Sequence, residues 1–401
     1  YYKELIRNQA FSQEHNINLS GGNDKVNYYT SLGLLDQSGL MVYNQDTYQR
    51  YSVTGKVNYA VNEWITASYS HRFVRDNYDR PSQMTDDLFK TIGRQCWPVL
   101  PLNDGNGNLF EWRAVELRDG GNDKATTDNS YQQIQLTFEP VKNWKIFADA
   151  NYSIKNYNRH WDTLPLYHYD VNNDPYVYSE QAGGNVHEEY QKDNLLGLNL
   201  YTEYSLTVKE KNNFKAMIGF QEQQMSQLKF GLQRNGIIYP SLPEVDLTNG
   251  LDFKGTPVTP STNGERNVWT NMGGFGRINY DYDGKYLLEA NLRYDASSRF
   301  REGHRTVLSP SFSAGWNIAN EDFFEPVRQI VNLLKIRGSY GQLANMNTTG
   351  WYPTYSNLGL YASYSNWLQD NKKTNIAVSP GTIENPFMTW EKIKSVNGGL
   401  D

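Results

Sequence analysis

The sequence predicts an all-β fold, an antiparallel transmembrane β-barrel segment of about 12–13 strands. Three observations support this prediction. Apolar and polar residues alternate with a period of two, turn residues separate neighbouring strands, and short connections alternate with long ones. Tight turns at one end and long loops at the other are typical of outer-membrane barrels. A soluble sandwich has no reason to gather its long loops at one end.

The stretch from Tyr282 to Phe300 shows the alternation most clearly. Its uncharged positions form one face of the strand, which the sequence predicts to be lipid-facing: Tyr286, Leu288, Ala290, Leu292 and Tyr294. The opposite face carries Glu289 and Arg293. A one-residue slip would exchange the two faces, and a basic residue at the bilayer midplane costs about 2–4 kcal/mol. From the pattern alone, a protein core remains an alternative to lipid.

The first three hairpins follow from local turn signals. "NINLS" and "VNYYTSLGL" flank a turn at 21–25, "SVTGKVNYA" and "WITASYS" flank one at 61–63, and "YQQIQLTFEP" and "NWKIFADANYSI" flank one at 140–143. In the third hairpin, Ile134, Leu136 and Phe138 lead into the turn, and the same alternation resumes after it. Each of these segments is therefore predicted to be a strand.

Three further hairpins continue the series. "NLLGLNLYTEYS" pairs with "FKAMIGFQE" through 206–213, "GRINYDY" with "YLLEANLRY" through 281–285, and "SFSAGWNI" with "LLKIRGSYG" through 319–332. Asp283-Gly284 is a strong hairpin-turn signal. A thirteenth strand is expected near "TWEKIKSVNGGLD". The long connections are expected at about 36–49, 76–130, 156–192, 223–270, 296–310 and 342–388.

Composition narrows the class of protein. The 401 residues include 30 Tyr and 10 Trp, yet only 38% are hydrophobic, and no run approaches the 18 apolar residues of a membrane helix. Aromatic residues near strand ends match the girdle of a membrane barrel: Trp64, Trp144, Tyr280, Tyr282 and Tyr286. A net charge of −6 without a basic run argues against a nucleic-acid partner, and the single Cys96 excludes an internal disulfide.

Catalytic motifs do not emerge from the spacing. The six histidines form no HExxH pattern, Cys96 has no neighbouring histidine, and no nucleophile elbow or phosphate loop occurs. The carboxylate pair Asp86-Asp87 is no more than any acidic loop offers. "NDGNGN" from Asn103 lacks the Gly and Glu of a calcium loop and is predicted to be a plain turn. We therefore expect no enzyme activity, cofactor or metal site.

The long connections are rich in aromatic residues, which bring large contact areas with few rotatable bonds. Those predicted to fall in them are Trp97, Trp112, Trp161, Tyr167, Tyr169, Trp351, Tyr352 and Trp367. The candidates for contact with a substrate or a covering partner are Trp97, Trp112, Trp161, Trp351 and Trp367. For any single residue, packing within its own loop is the favoured interpretation, and of the whole set we expect at least one or two to face a ligand or a covering partner.

Five segments, in this order, resemble the barrel half of SusC/RagA-type TonB-dependent outer-membrane transporters of Bacteroidota. They are "NINLSGGNDKVNYYTSLGLLDQSGLM", "YLLEANLRYDASSRF", "LSPSFSAGWNIANEDFF", "LLKIRGSYGQLANMN" and "NPFMTWEKIKSVNGGLD". Ala296 stands where the family usually has glycine, and Ser309 where it usually has an aromatic residue. Neither departure disturbs the alternation.

The resemblance implies that residues 1–401 are the central part of one 22-stranded barrel domain, without the plug, the TonB box or the signal peptide. It implies import of an oligosaccharide or oligopeptide across the cell outer membrane, with a SusD-like surface lipoprotein as lid. The inner-membrane TonB complex would act through the missing N-terminal part, and membrane lipid would surround the barrel. Two alternatives stay open: a surface or secreted β-rich binding or adhesion protein, and, more weakly, a β-fold carbohydrate-active enzyme.

Overall fold

A computed structural model describes residues 2–94, 99–179, 184–348, 350–356, 358–361, 368–369, 372–373, 377–381 and 384–401. Within these residues, thirteen antiparallel strands form one sheet. Its strands are β1 (Ser12–Gly22), β2 (Val26–Ser38), β3 (Thr47–Asn62), β4 (Ile65–Pro81), β5 (Asn122–Val141), β6 (Trp144–Thr163), β9 (Asn185–Val208), β10 (Asn212–Asn235), β11 (Ser261–Tyr282), β12 (Tyr286–Ser297), β13 (Thr306–Asn317), β14 (Lys335–Asn345) and β19 (Glu391–Leu400).

Smaller elements lie before β1 and in the connections. Three short helices are α1 (Tyr2–Leu5), α2 (Asp86–Arg94) and α3 (Trp112–Asp119). Short strands form separate two-stranded pairs, β7 (Leu166–Tyr169) with β8 (Pro175–Ser179), β15 (Leu358–Tyr361) with β18 (Ala377–Pro380), and β16 (Leu368–Gln369) with β17 (Lys372–Lys373). No helix in the described part of the chain is long and apolar enough to cross a membrane.

Each strand of the large sheet pairs with the next large strand along the chain, so the six predicted hairpins and the thirteenth strand are confirmed. The turn signals act as expected. Asp283 and Gly284 both have positive φ, 53° and 64°, at the two central positions of the turn that the Lys285 N–H closes on the Tyr282 carbonyl oxygen. The side chain of Asn62 accepts hydrogen bonds from the backbone N–H groups of Trp64 and Ile65. These local bonds fix where each pair of strands reverses.

The pairing register separates two faces across six neighbouring strands of the sheet, β6 and β9–β13. One cross-strand row contains only apolar and aromatic residues, and we call its side the apolar face: Trp144, Tyr204, Ala216, Ile278, Ala290 and Phe312. The row one residue along, on the side that we call the polar face, is Lys145, Glu203, Met217, Arg277, Asn291 and Ser311. A period of two therefore persists over six strands.

The apolar face is exposed rather than covered by another layer. Tyr286, Leu288, Leu292 and Tyr294 on β12 are 43–53% exposed, and Ala290 is half-buried between them. Glu289 and Arg293 lie on the polar face, as the sequence predicted, and so do the charged residues Lys56, Lys145, Asp149 and Lys155 of other strands. No second sheet packs on the apolar face within the described residues, so a sandwich architecture does not fit.

Three of the long connections are shorter in the structure than the sequence predicted. The segments expected at 76–130, 156–192 and 223–270 span only 82–121, 164–184 and 236–260, because β4, β5, β6, β9, β10 and β11 extend further. The added residues break the apolar alternation: Asn156 and Asn158 on β6 and Lys192 on β9 occupy apolar-face positions. Backbone pairing continues there without an apolar face, so the hydrophobic pattern could not reveal these strand extensions.

The main hydrophobic core lies in the connections and not in the sheet. It brings together α1, α2, α3 and β7 with the segment between β2 and β3, through Leu5, Ile6, Met41, Leu88, Ile92, Leu109, Ala114, Val115, Leu117 and Leu166. A second cluster packs Phe300 and Val307 against Trp390. Both clusters join segments far apart in sequence, so the long connections are ordered by packing against one another.

Candidate functional site

A group of charged side chains lies on the polar face near the long connections. Asp123, at the start of β5, is buried between Arg80 at the end of β4 and Arg159 near the end of β6. Nε of Arg80 lies 2.8 Å from Asp123 Oδ2, and Nε and Nη2 of Arg159 lie 2.7 and 2.8 Å from the two carboxylate oxygens. One carboxylate thus holds two guanidinium groups in place.

These residues lie at the ends of their strands nearest the long connections. The part of the sheet whose opposite surface is apolar lies nearer the short turns. Burial alone would raise the pKa of Asp123, but the hydrogen bonds from Arg159 and Arg80 outweigh it and the pKa is lowered. The carboxylate is therefore charged at neutral pH. The two arginines retain further N–H groups, and about a quarter of each side chain is exposed, 30% for Arg80 and 26% for Arg159.

An aromatic stack adjoins this ion pair. Trp161 on β6 and His187 on β9 are cross-strand partners, and their rings stack with centroids 4.3 Å apart and planes 7° apart. The guanidinium carbon of Arg159 lies 4.2 Å from the Trp161 ring centroid, at cation–π distance. The stack and the ion pair form one continuous half-buried surface. We call it the Trp161 wall: Arg80, Asp123, Arg159, Trp161 and His187.

More polar pairs continue along the same face. Lys229 Nζ lies 2.8 Å from Glu189 Oε1, and Asp193 accepts hydrogen bonds from Gln191 and Gln227. Carboxylates, amides, guanidinium groups and an indole ring are the groups that bind hydroxyl-rich or amide-rich ligands. The wall can therefore hold a polar ligand by hydrogen bonding and stacking.

The structure describes three of the five predicted contact residues, and these three lie in different surroundings. Trp161 lies within β6, so its placement in a loop was wrong, because β6 extends further than the apolar pattern. Trp112 opens α3, where the Arg113 guanidinium lies over its ring at 3.5 Å. Trp351 is half-buried and its carbonyl oxygen accepts a hydrogen bond from Arg299. Trp97 and Trp367 lie outside the described residues. Contact of any of them with a substrate or lid stays a prediction.

The other loop aromatics also have defined places. Tyr167 and Tyr169 lie in the short strand β7, and the Tyr167 side chain is 44% exposed. Tyr352 lies in the connection between β14 and β19, and its hydroxyl donates a hydrogen bond to the carbonyl oxygen of Val268 in β11. The Tyr352 contact ties the connection after β14 to strand β11.

Arg299 is a structural residue that sequence reasoning missed. It is buried in the connection between β12 and β13, which was predicted as a long connection and spans residues 298–305. Its guanidinium donates hydrogen bonds to the carbonyl oxygens of Met346, Gly350 and Trp351 and to the hydroxyl of Thr348. The partners follow it by about 50 residues, so no local motif could have revealed them. Four hydrogen bonds from one buried guanidinium therefore fix the start of the long connection after β14.

The "NDGNGN" segment forms the predicted plain turn. Oδ1 of Asp104 accepts hydrogen bonds from the backbone N–H groups of Asn106 and Asn108, at 2.9 and 2.8 Å. Hydrogen bonding from Asn108 lowers the pKa of Asp104. Asn108 also bonds Asn173 in the matching turn between β7 and β8. The carboxylate closes the turn and braces it against its neighbour.

Comparison with known proteins identifies the protein family of this chain. The family model described as "TonB dependent receptor-like, beta-barrel" matches residues 67–401. A TonB-dependent receptor of Formosa agariphila is 23% identical over 414 residues, covering 100% of this chain and 36% of the relative. TonB-dependent receptor SusC of Bacteroides thetaiotaomicron is 24% identical over 438 residues, covering 100% of this chain and 40% of the relative.

Among solved structures, the RagAB peptide transporter superimposes with a TM-score of 0.77 at 19% identity, over 100% of this chain and 43% of that chain. The likeness shows that the sheet is a part of the same barrel fold. The chain spans about two fifths of the length of the curated relatives that it matches. The chain is similar over its whole length to SusC and shares the fold of RagAB, and it belongs to the TonB-dependent receptor-like β-barrel family of the outer membrane.

Proposed function

We propose that the full-length protein imports an oligosaccharide or an oligopeptide across the outer membrane, and that the Trp161 wall contacts this cargo inside the barrel. The observation that carries the proposal is the contrast between the two faces. An ordered set of charges, amides and a stacked indole lines the polar face near the long connections, while nearer the short turns the opposite face is apolar and exposed. An aqueous lumen within a lipid-embedded wall has this distribution.

The apolar face, with Tyr286, Leu288, Ala290, Leu292 and Tyr294, contacts lipid in this proposal. The stretch from Tyr286 to Tyr294 is nine residues long, and a tilted strand needs about 9–11 residues to cross a bilayer. Trp144, Tyr286 and Trp316 lie near the short turns and are exposed, as residues of an aromatic girdle are. The long connections then face the outside of the cell.

A SusD-like surface lipoprotein covers the long connections in this proposal, and the TonB complex supplies energy through a part of the protein outside this chain. Several aromatic side chains on the connections are exposed, including Tyr167, Tyr176 and Tyr178, and they offer contact area for such a lid. Trp112 and Trp351 are the half-buried candidates for contact with the lid or the cargo. The RagAB structures are described as a peptide importer, which makes a peptide cargo one of the two classes to test.

The test uses the full-length protein in its native cell. The membranes are separated, the protein is extracted from the outer membrane in detergent, and co-purifying lipoproteins are identified by mass spectrometry. Uptake of labelled oligosaccharides and oligopeptides is then compared between wild-type cells, cells lacking the gene and cells lacking TonB. We expect an outer-membrane protein with a bound lipoprotein, and uptake of one cargo class that requires both the gene and TonB.

Two results would contradict this proposal. A protein that is soluble without detergent would favour a secreted binding or adhesion protein, since its apolar face would then have to meet another protein surface. Turnover of a glycan by the purified protein that is lost on changing one carboxylate would favour a carbohydrate-active enzyme.

A further inference from the structure

A histidine and two glutamates from three separate segments converge near the long connections. They are His160 on β6, Glu188 on β9 and Glu244 in the connection between β10 and β11, and we call them the His160 cluster. One ligand atom from each side chain lies within 4.8 Å of the others, and Nδ1 of His160 is 2.6 Å from Oε1 of Glu188. We propose that the His160 cluster binds a divalent transition-metal ion of the zinc class.

The charges at the cluster favour a cation. Within the described part of the chain, no Lys or Arg nitrogen lies within 4 Å of the carboxylates of Glu188 or Glu244, and His160 is the one basic group paired with them. Lys124, the cross-strand neighbour of His160 on β5, is directed to Asp79 at 3.7 Å. Two carboxylates that share a single imidazole leave a negative charge, which a divalent ion would neutralise.

The donor set decides the class of metal. Imidazole nitrogen and carboxylate oxygen together are ligands of Zn²⁺ and neighbouring transition metals, whereas Ca²⁺ and Mg²⁺ take oxygen ligands. Three protein ligands leave one tetrahedral position for water. Zinc binds a neutral imidazole, so the ion would replace the short contact between His160 and Glu188 and bond to both groups.

The third ligand is placed by a well-ordered connection. The backbone N–H of Ile238 donates to Leu247, and that of Asn249 donates to Gly236, so residues 236–249 form a closed loop. Glu244 occupies the N-cap position of the 3-10 turn Val245–Leu247, but its side chain makes no capping hydrogen bond. The carboxylate is instead directed to His160 and Glu188. A bound ion would fasten this loop to strands β6 and β9.

The cluster lies in an aqueous position. His160 follows Tyr152 by eight residues on the same side of β6, which is about 26 Å along an extended strand. The side chains between them at this face include Asn156 and Asn158, which do not suit lipid. Both ligand strands therefore project beyond the apolar belt, and Glu244 is exposed, so ions in solution have access to the cluster.

The test uses the full-length protein in detergent, stripped of metal with a chelator that is then removed. Zn²⁺ is titrated in competition with a chromophoric chelator, and Co²⁺ is added separately to record its visible ligand-field spectrum. We expect one additional ion per chain in the wild type, with a low-coordinate Co²⁺ spectrum. His160→Ala and Glu244→Gln should each abolish that ion. Matched controls are Glu189→Gln, next to Glu188 but on the polar face, and His71→Gln on β4.

A second experiment does not depend on the number of metal ions counted per chain. Trypsin cleavage after Lys254, an exposed residue of the same connection, should slow about tenfold when free Zn²⁺ is ten times its dissociation constant. Glu244→Gln should remove this protection, so that its cleavage rate is the same with and without zinc. The proposal would be overturned if the wild type bound no more Zn²⁺ per chain than His160→Ala and Glu244→Gln.

Discussion

The indole ring of Trp161 stacks on the imidazole ring of His187, with centroids 4.3 Å apart and an angle of 7° between the planes. The two residues are 26 positions apart, and the β6–β9 register makes them partners. The contact presets the orientation of the indole, so a ligand that stacks on it does not bear the whole cost of ordering that side chain.

Replacing the indole tests its contact with cargo. Trp161→Ala should weaken binding of the imported oligosaccharide or oligopeptide by up to about tenfold, since aromatic contacts contribute about 0.5–1.5 kcal/mol. Trp161→Phe should retain most of the affinity. Calorimetry on the full-length protein, with the ligand that supports uptake in wild-type cells, measures the change. Unaltered affinity in Trp161→Ala would remove Trp161 from the cargo site.

Asp123 is expected to stabilise the barrel wall. Asp123→Asn leaves Arg80 and Arg159 facing each other without a counter-charge, and should lower the free energy of unfolding by about 1–3 kcal/mol. The control is Asp128→Asn, whose partner Arg75 is 48% exposed, so that about 0–1 kcal/mol is expected. Heat-dependent gel mobility of the folded full-length barrel measures both. A larger loss in the control would contradict this role for Asp123.

The apolar face is tested by inserting charge. Leu292→Arg should impair assembly in the outer membrane, because an arginine facing lipid near the bilayer midplane costs about 2–4 kcal/mol. Ser313→Arg on the polar face is the matched control. Its cross-strand partner Glu289 would form an ion pair with the new arginine. The amounts of folded protein in the outer membrane are compared. Equal assembly of the two variants would show that Leu292 does not contact lipid.

Arg299 is expected to order the connection after β14. Arg299→Lys cannot reproduce the planar fork that bonds Met346, Thr348, Gly350 and Trp351, so amide hydrogen exchange in residues 346–356 should accelerate by about tenfold or more. Arg277→Lys, on the polar face of β11, is the control. Unchanged exchange in the Arg299 variant would mean that other contacts hold this segment.

The turn after β13 is predicted to respond to acid. Tyr286 and then Trp316 donate hydrogen bonds to the Glu321 carboxylate, with Lys285 nearby, and these contacts hold its pKa below its ordinary value. Because the folded-state pKa is the lower one, the stabilisation is complete above the ordinary pKa near 4 and is lost as pH falls further.

The acid response can be followed through the indole of Trp316. The difference in fluorescence between the wild type and Trp316→Phe should stay constant from neutral pH to about pH 5, and change below about pH 4. Glu321→Gln should remove that change, since its side chain does not titrate. A transition that persists in Glu321→Gln would belong to another group.

The sequence by itself determined the strand phase and the turns of this protein. In β12, the alternation from Tyr286 to Tyr294 and the Asp283-Gly284 turn are local signals, and each is enough to place a strand and its reversal. The same residues predicted an apolar surface on one side, because a period of two needs no knowledge of the partner strands.

Only the tertiary structure decided where strands end and which distant side chains meet. Backbone pairing carries β9 and β10 to 24 residues each, through polar segments whose side chains give no periodic signal. The contacts of Asp123, Arg299 and the His160 cluster depend on register between strands and on loops that fold back over them. Such contacts join residues separated by 28 to 84 positions, and only the completed hydrogen-bond ladder fixes the distances between their side chains.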